Sequence, residues 1–506
     1  MKVRPLFGAG IAGSSYPVTR QRRKNVYFEN RPDGDKTKIA CFGTPGLQLV
    51  SNAIMGAYTL PIRGMGAAAN NNPAFVTGIG SYIYFCSGNL LGAINVTNGK
   101  GVGFGGTLST SSGNISMAAS GSQVVIVDGT GAYFLNVVLI SPVAPINSTN
   151  AVNQSETFGF PYGAKTVTFV SGRFVVEKPN SQQFFVSDLF DGTSWNVLAF
   201  ASASQYPDLL IAVDSLNGNL VLFSTSHTEF WQDVGGIPEP FAPILSATVE
   251  YGLAAIWSRA HLENSLIALC FNRQGTAQVV QFSGYQTKVI STPDLEFLIG
   301  TFPSDIENAT ALTYSINGHS MYQLTFPIAD TGVGRSFLYD CSTTLWSETQ
   351  TGTTPQAATR HIGQFSASAG GVNYISDYAT PKLYTVSPTQ YTDNGAVIER
   401  EIITRHVEQD FNVMSVDEVY LDMETGVGLI SGQGSTPQVM LQVSKDNGRT
   451  WQTERWASPG QIGQYLTRVV WRQFGSGRDF TFRIRMTDPV KFVITEGAMS
   501  VRERQQ

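Results

Sequence analysis

Ser444-Lys445-Asp446-Asn447-Gly448-Arg449-Thr450-Trp451 runs in the order S-x-D-x-G-x-T-W. Asp-Asn-Gly supplies the positive-φ positions of a tight hairpin turn, and an aspartate there can accept from its own backbone. Trp451 can then fold back over the turn. An alternating apolar run precedes the motif, and an aromatic, basic run follows it. The stretch therefore marks an all-β chain and says nothing about catalysis.

The same order resembles the Asp box, a hairpin signature frequent in β-propellers and β-sandwiches. Moving outward from it, helical periodicity is nearly absent. Short apolar and period-2 runs recur instead, bounded by Gly, Asn and Asp. Hairpin cores are expected at residues 74–86, 116–137, 166–185, 209–231, 260–281, 310–326 and 364–386. Their spacing suits one four-stranded blade per repeat. The seven units predict a β-propeller of six or seven blades over residues 61–392. One blade cannot bury its own faces, whereas radial stacking buries them against neighbours. Beyond that the texture changes, and strands at 397–404, 416–423, 438–444, 468–474 and 480–487 predict a C-terminal β-sandwich over residues 393–506. Its last five residues read as frayed. Residues 1–60 hold several loop signals and read as an arm packing on this platform.

Composition agrees with many short strands. The chain has 506 residues, 42% hydrophobic, only 14% charged, with 51 glycines. That length exceeds one ordinary core, and the charge content falls well below the usual ~25%. Net charge is −5, and no basic stripe of the kind that grips DNA stands out. The run Arg20-Gln21-Arg22-Arg23-Lys24 reads as a solvated arm. Cys41, Cys86, Cys270 and Cys341 are far apart and form no CxxC, so neither a disulfide scaffold nor a zinc site is expected, and the thiols read as free in a reducing cytosol. No sustained apolar N-terminal region suggests a signal peptide, and no run of 18 apolar residues suggests a membrane span.

Motifs that carry chemistry elsewhere lack their context here. Gly101-Val102-Gly103-Phe104-Gly105-Gly106 satisfies GxGxxG, but no helix follows to hold a pyrophosphate, so it reads as a flexible inter-strand loop. His227-Thr228-Glu229 has the H-x-E order without P-C-x-x-C. A propeller glycosidase would need convergent carboxylates, for which Asp188, Asp191 and Glu229 are the candidates, or an arginine cluster. Arginines in this region are sparse: Arg63, Arg173, Arg259, Arg273, Arg335 and Arg360. The Arg-aromatic runs 468–472 and 478–485 read as two antiparallel strands with apolar residues inside and Arg outside, paired with acids. No GxSxG, P-loop or kinase set is present. No catalytic, cofactor-binding or metal-ligating residue is assigned, and no cofactor is expected.

A collinear set of segments resembles a known family. It comprises Asn25-Val26-Tyr27-Phe28-Glu29 with Thr44-Pro45-Gly46-Leu47. Next come Gly172-Arg173-Phe174, Val186-Ser187-Asp188-Leu189-Phe190-Asp191, Trp195 and Tyr206-Pro207-Asp208-Leu209-Leu210. Then come Leu222-Phe223, Thr228-Glu229-Phe230-Trp231, Pro240-Phe241 and Gly252-Leu253-Ala254. The last is Ser444 to Trp451 with Gly463-Gln464-Tyr465, Arg468-Val469-Val470-Trp471-Arg472, Gly475, Arg478 and Phe482-Arg483. Together these segments are similar to the packaged-DNA stabilisation proteins of short-tailed bacteriophages, which form the tail hub or nozzle. Two departures are mild: Asn447 stands where a second Gly is common, and Gln473 where a basic residue is usual.

The resemblance implies a non-enzymatic virion protein of the phage tail, made in the host cytoplasm. It implies a homohexameric ring below the portal and its adaptor (head-completion) ring, bearing tail fibre, spike, plug or needle proteins. Packaged double-stranded DNA would pass through the lumen without sequence-specific binding. The loops at 98–106 and 329–335 are the expected gates. The alternative left open by the residues alone is a carbohydrate-binding or glycoside-hydrolysing propeller.

Overall fold

The computed structural model describes residues 2–3, 11–13, 15, 21–31, 39–50, 53–70, 80–136, 144–145, 160–352, 359–408 and 412–503. Among the described residues, seven blades of mainly antiparallel strands follow one another along the chain. Blade 1 comprises Ile62–Asn70, Gly80–Ser87, Leu90–Asn95 and Gly101–Gly103. Blade 2 comprises Ser116–Ala119, Gln123–Val127, Ala132–Asn136 and Ala144–Pro145. Blade 3 comprises Val167–Val170, Arg173–Glu177, Gln183–Asp188 and Asp191–Ser202. Blade 4 comprises Leu210–Leu216, Asn219–Ser224, Thr228–Asp233 and Phe241–Pro243. In blade 5, Ala260–Leu262 and Gly252–Leu253 share the inner edge of Ser265–Phe271, followed by Ala277–Ser283 and Gln286–Val289. Blade 6 comprises Thr310–Ile316, His319–Phe326, Arg335–Asp340 and Leu345–Thr351. Each expected hairpin core falls within one of these sheets, apart from residues 74–79 and 137, which lie outside the described residues.

Blade 7 takes only three strands from its own stretch, Gly363–Ala369, Val372–Asp377 and Leu383–Ser387. Its fourth is Gly46–Leu49, paired antiparallel with Tyr384 opposite Leu49 and Ser387 opposite Gly46. The last blade is thus completed from the N-terminal region. Blades 7 and 1 then pack together through Tyr374 and Leu383 against Ile83, Phe85 and Ile94. Every other adjacent pair shares a similar apolar seam, so the stack closes on itself. Alternation explains how one strand serves two neighbours. Val124 and Ile126 face blade 1, while Val125 and Val127 of the same strand face blade 3. With both faces covered, these strands read as continuous apolar runs rather than as alternating ones.

The second domain is a sandwich. One sheet holds Val26–Asn30, Ile39–Gly43, Val493–Glu503, Met414–Met423 and Val469–Gly477, in that spatial order. The other runs Arg22–Lys24, Arg400–Ile403, Asp479–Met486, Val439–Ser444 and Arg455–Ala457. Val419, Leu421, Trp471, Phe482, Ile484 and Met499 fill the space between them. The second sheet does not stop at the domain boundary. Lys24 pairs in parallel with Glu348, so blade 6 and this sheet form one eleven-stranded surface.

Several expectations need correction. The N-terminal arm divides: residues 22–30 and 39–43 join the sandwich, whereas Gly46–Leu49 belongs to the propeller. Likewise Thr392–Asp393, placed near the sandwich boundary, pairs with Leu47 in the blade 7 sheet. The run at Arg22–Lys24 is a strand, not a solvated arm, and Arg23 and Lys24 are buried. Val493–Glu503 is a further strand, and it carries Arg502 and Glu503 of the tail expected to fray into the sheet opposite Ser415 and Met414, while residues 504–506 lie outside the described residues. The strands Val469–Gly477 and Asp479–Met486 lie in opposite sheets rather than pairing with each other.

Candidate functional site

Antiparallel order places the first-to-second and third-to-fourth turns of every blade at one end of the propeller, and the second-to-third turns at the other. The innermost strands surround an axial channel of about 540 Å³. Its wall includes Met65, Met117, Phe169, Asp214, Trp257, His261, Thr313 and Phe365. Asp214 accepts from Arg259 Nη1 at 2.6 Å and sits 2.8 Å from His261 Nε2. Burial would raise the Asp214 carboxyl, but His261 and Arg259 outweigh it and hold it at about 2. The channel charges are therefore spent on one another.

The carboxylates that might have met in a funnel do not. Asp188, exposed, binds Ser194 Oγ, and Asp191, half-buried, accepts from Thr193 N at 2.9 Å, both on the outermost hairpin of blade 3. Glu229 is buried inside blade 4, accepting from Trp231 Nε1 at 2.9 Å and Gln205 N at 3.3 Å. Nor do the arginines form a cluster. Arg63 is tied to the carbonyls of Gly88, Thr110, Ser112 and Gly113, Arg173 to that of Ser187, and Arg360 lies over Tyr378. Gly101–Gly103 is the outer strand of blade 1 rather than a flexible loop, and Phe104 beyond it is buried. No group of three metal-ligating side chains occurs among the described residues. All four cysteines are free, three of them buried, and burial pushes each thiol up.

The two expected gates also separate. Residues 98–100 form a third-to-fourth turn of blade 1, whereas Ala329–Gly332 is a short helix between the second and third strands of blade 6. They sit at opposite ends of the propeller.

The densest polar constellation lies at the joint between the domains. Arg22 grips Glu348 with two parallel bonds, Nε to Oε1 at 3.1 Å and Nη2 to Oε2 at 2.6 Å. Arg335 reaches the same carboxylate at 3.0 Å. Glu401, fully buried, lies 3.5 Å from Arg22 and 2.5 Å from Arg483. Lys24 meets Glu399 at 2.8 Å, and Arg485 bridges Glu399 and Glu454. Asn25 stitches the seam, with Nδ2 donating to the carbonyls of Gln350 and Glu399 and Oδ1 accepting from Gln350 N. Burial alone would raise the Glu348 carboxyl, yet Arg22 and then Arg335 hold it at about 2. Such forked, desolvated pairs fix orientation as well as contributing energy. Arg483 and Arg485 thus pair with acids across strands, as the sequence suggested.

At the Asp box, Asp446 accepts from Thr450 N at 2.9 Å, Arg449 N at 3.1 Å and Thr450 Oγ1 at 2.5 Å. Ser444 Oγ donates to it at 2.6 Å and accepts from Gly448 N at 2.9 Å. Hydrogen bonds from Ser444 and Thr450 hold its carboxyl at about 2. Asn447 has φ +61° and Gln473 has φ +65°, so both departures from the family pattern occupy left-handed positions. The Arg483 guanidinium lies 5.9 Å from the centre of the Trp451 ring. All of this is turn architecture.

Comparison with known proteins follows the same division. Residues 79–391 match the family model described as bacteriophage P22 Gp10, beta-propeller. Residues 399–502 match bacteriophage P22 Gp10, beta-sandwich. No match was found among curated protein sequences. Among solved structures, YCF48 bound to D1 peptide is similar at 10% identity and TM-score 0.38, over 68% of this chain and 97% of that one. The Pan2 WD40 domain of Neurospora crassa is similar at 9% identity and TM-score 0.37, over 69% and 95%. The extracellular domain of BT4673, a putative hybrid two component system from B. thetaiotaomicron, is similar at 8% identity and TM-score 0.41, over 76% and 45%. At those scores the structural likenesses carry no argument; the two family models, in register with both domains, do. The chain belongs to the bacteriophage P22 Gp10 family of phage tail structural proteins.

Proposed function

We propose that this protein is a subunit of the tail nozzle, or hub, of a short-tailed phage. It assembles with copies of itself, six by the family resemblance, into a ring that continues the DNA channel below the portal and its adaptor. There it helps retain the packaged genome and guides its ejection. The observation that carries the reading is the match of both domains to one tail-protein family. The structure adds a constraint. One turn of the major groove alone, about 12 Å wide, about 8.5 Å deep and about 34 Å long, spans on the order of 3,000 Å³, several times the propeller channel of about 540 Å³. That mismatch supports a conduit between copies, walled by their outer surfaces.

A closed ring requires head-to-tail, heterologous contacts. The joint suits that role, because a sheet continued across both domains and tied by ion pairs favours one angle between them. With a net charge of −5, the chain has no surplus of cations to grip phosphates and slow exit. The adaptor ring, fibre or spike proteins and plug proteins are the proposed neighbours. The decisive experiment compares virions assembled with and without the protein. Particles lacking it should lose their DNA after packaging; particles that hold and eject DNA normally without it would overturn the reading.

A further inference from the structure

Where blades 4 and 5 meet, at the end carrying the second-to-third turns, a cleft of about 550 Å³ opens to solvent. Tyr206, His227, Glu250, Phe271, Asn272 and Arg273 are among its lining residues. One wall is an aromatic shelf. The Tyr206 and His227 rings stack with centroids 3.6 Å apart and planes 8° from parallel.

The shelf is held from below and from the side. Asp208 Oδ2 accepts from Ser226 N at 3.0 Å, Ser226 Oγ at 2.6 Å and His227 N at 3.1 Å, and lies 3.3 Å from His227 Nδ1. The Tyr206 carbonyl accepts from Gln182 Nε2 at 2.9 Å, which ties it to blade 3. This network assigns the imidazole proton to Nδ1 and leaves Nε2 as an acceptor. Asp208 and Ser226 both approach Nδ1, so the trio is not a nucleophile–base–acid relay. The side chain of Asp208 is only 10% exposed, and its Oδ1 has no hydrogen-bond partner.

The charged lining residues are poised differently. Glu250 and Arg273 are 54% and 77% exposed and only 3.7 Å apart at closest approach. A pair so loose and so hydrated contributes little to stability. Both groups are free to exchange each other for an outside partner.

We propose that this cleft binds a pyranose unit of an oligosaccharide. A flat aromatic surface packs against the C–H face of a sugar ring. Vicinal hydroxyls then find an acceptor in Glu250, a planar donor fork in Arg273 and a further acceptor in His227 Nε2. The cleft volume lies in the usual range for small-ligand sites. The competing occupant of an aromatic shelf beside an arginine is a nucleotide, and the Glu250 carboxylate opposes its phosphate. The proposal does not depend on ring formation, so either can fail without the other.

Saturation-transfer NMR on the full chain tests it, using maltotriose, cellotriose and methyl β-galactopyranoside, with dAMP as the competing class. At least one saccharide should receive saturation on its ring protons with an affinity on the order of 1 mM. Glu250→Gln and Arg273→Ala, both at the surface, should each weaken it about fivefold, roughly one hydrogen bond's worth, without moving Tm. Tyr206→Leu should abolish it. Absence of transfer from every saccharide, transfer that survives Tyr206→Leu, or tighter binding of dAMP at the same residues would overturn the assignment.

Discussion

Replacing Glu348 by glutamine removes one charge from the joint while keeping the side chain's shape. Glu348 is clasped by Arg22 and Arg335 and is 8% exposed, so screening by water is slight. Its folded carboxyl titrates at about 2, against 4.5 for a free glutamate. At about 1.4 kcal/mol per tenfold difference in proton affinity, the ionised group contributes about 3 kcal/mol to the folded state. Because the folded value is depressed, that contribution is present above pH ~4.5 and is lost as pH falls through ~2. The assay is urea unfolding of wild type and Glu348→Gln at several pH values, taking the difference at each so that other titrations cancel. The variant should be about 3 kcal/mol less stable at pH 7 and only about 1.4 kcal/mol less stable at pH 3. A loss under about 1 kcal/mol at pH 7 would put the pair among ordinary surface bridges. An equal loss at both pH values would show that shape, not charge, matters there.

Two further perturbations probe other parts of the fold. Glu177 is buried, accepts from Lys165 N and Thr166 N, and burial pushes its carboxyl to about 7. Wild-type stability from this group is therefore present below pH ~4.5 and lost as pH rises through ~7, so Glu177→Gln should gain about 3 kcal/mol relative to wild type between pH 4 and 8. A pH-independent difference in urea unfolding refutes this. Leu47 is 2% exposed in the strand that completes blade 7. Leu47→Ala should cost about 3 kcal/mol in the same assay, and an unchanged midpoint would mean that this strand does not hold the ring shut.

What the sequence revealed, and what it hid, follows the distance over which residues interact. The blade cores were legible because a four-stranded meander is local: Val124, Ile126 and Tyr133 announce their hairpin within a dozen residues. The Asp box was legible for the same reason. Gly46–Leu49 was not, because its partners stand more than 330 residues away and a lone four-residue strand carries no signature of which sheet it joins. Arg22 and Lys24 misled in a related way. A basic run reads as solvated unless its acids are known, and those acids are Glu348, Glu399 and Glu401, 326 to 379 residues along the chain. The separation of the loops at 98–100 and 329–332 was hidden too, since loop composition does not say at which end of a blade a turn falls. The cleft at blades 4 and 5 was invisible as a site; Tyr206, Asp208 and Leu209 were noted only as family markers, with nothing in their spacing to pair Tyr206 with His227.

The strand Gly46–Leu49 also imposes an order on biogenesis. It leaves the ribosome before its pairing partner, Leu383–Ser387, which emerges only after six other blades have been synthesised. A nascent chain must keep this segment unpaired, and kept from the wrong sheet, while those blades are made. Completion of the circle is therefore a late, long-range event of the kind that slows folding and exposes sheet edges to aggregation. Once made, it lends the finished molecule resistance to peeling, since neither terminal region can detach without breaking contacts held by the other.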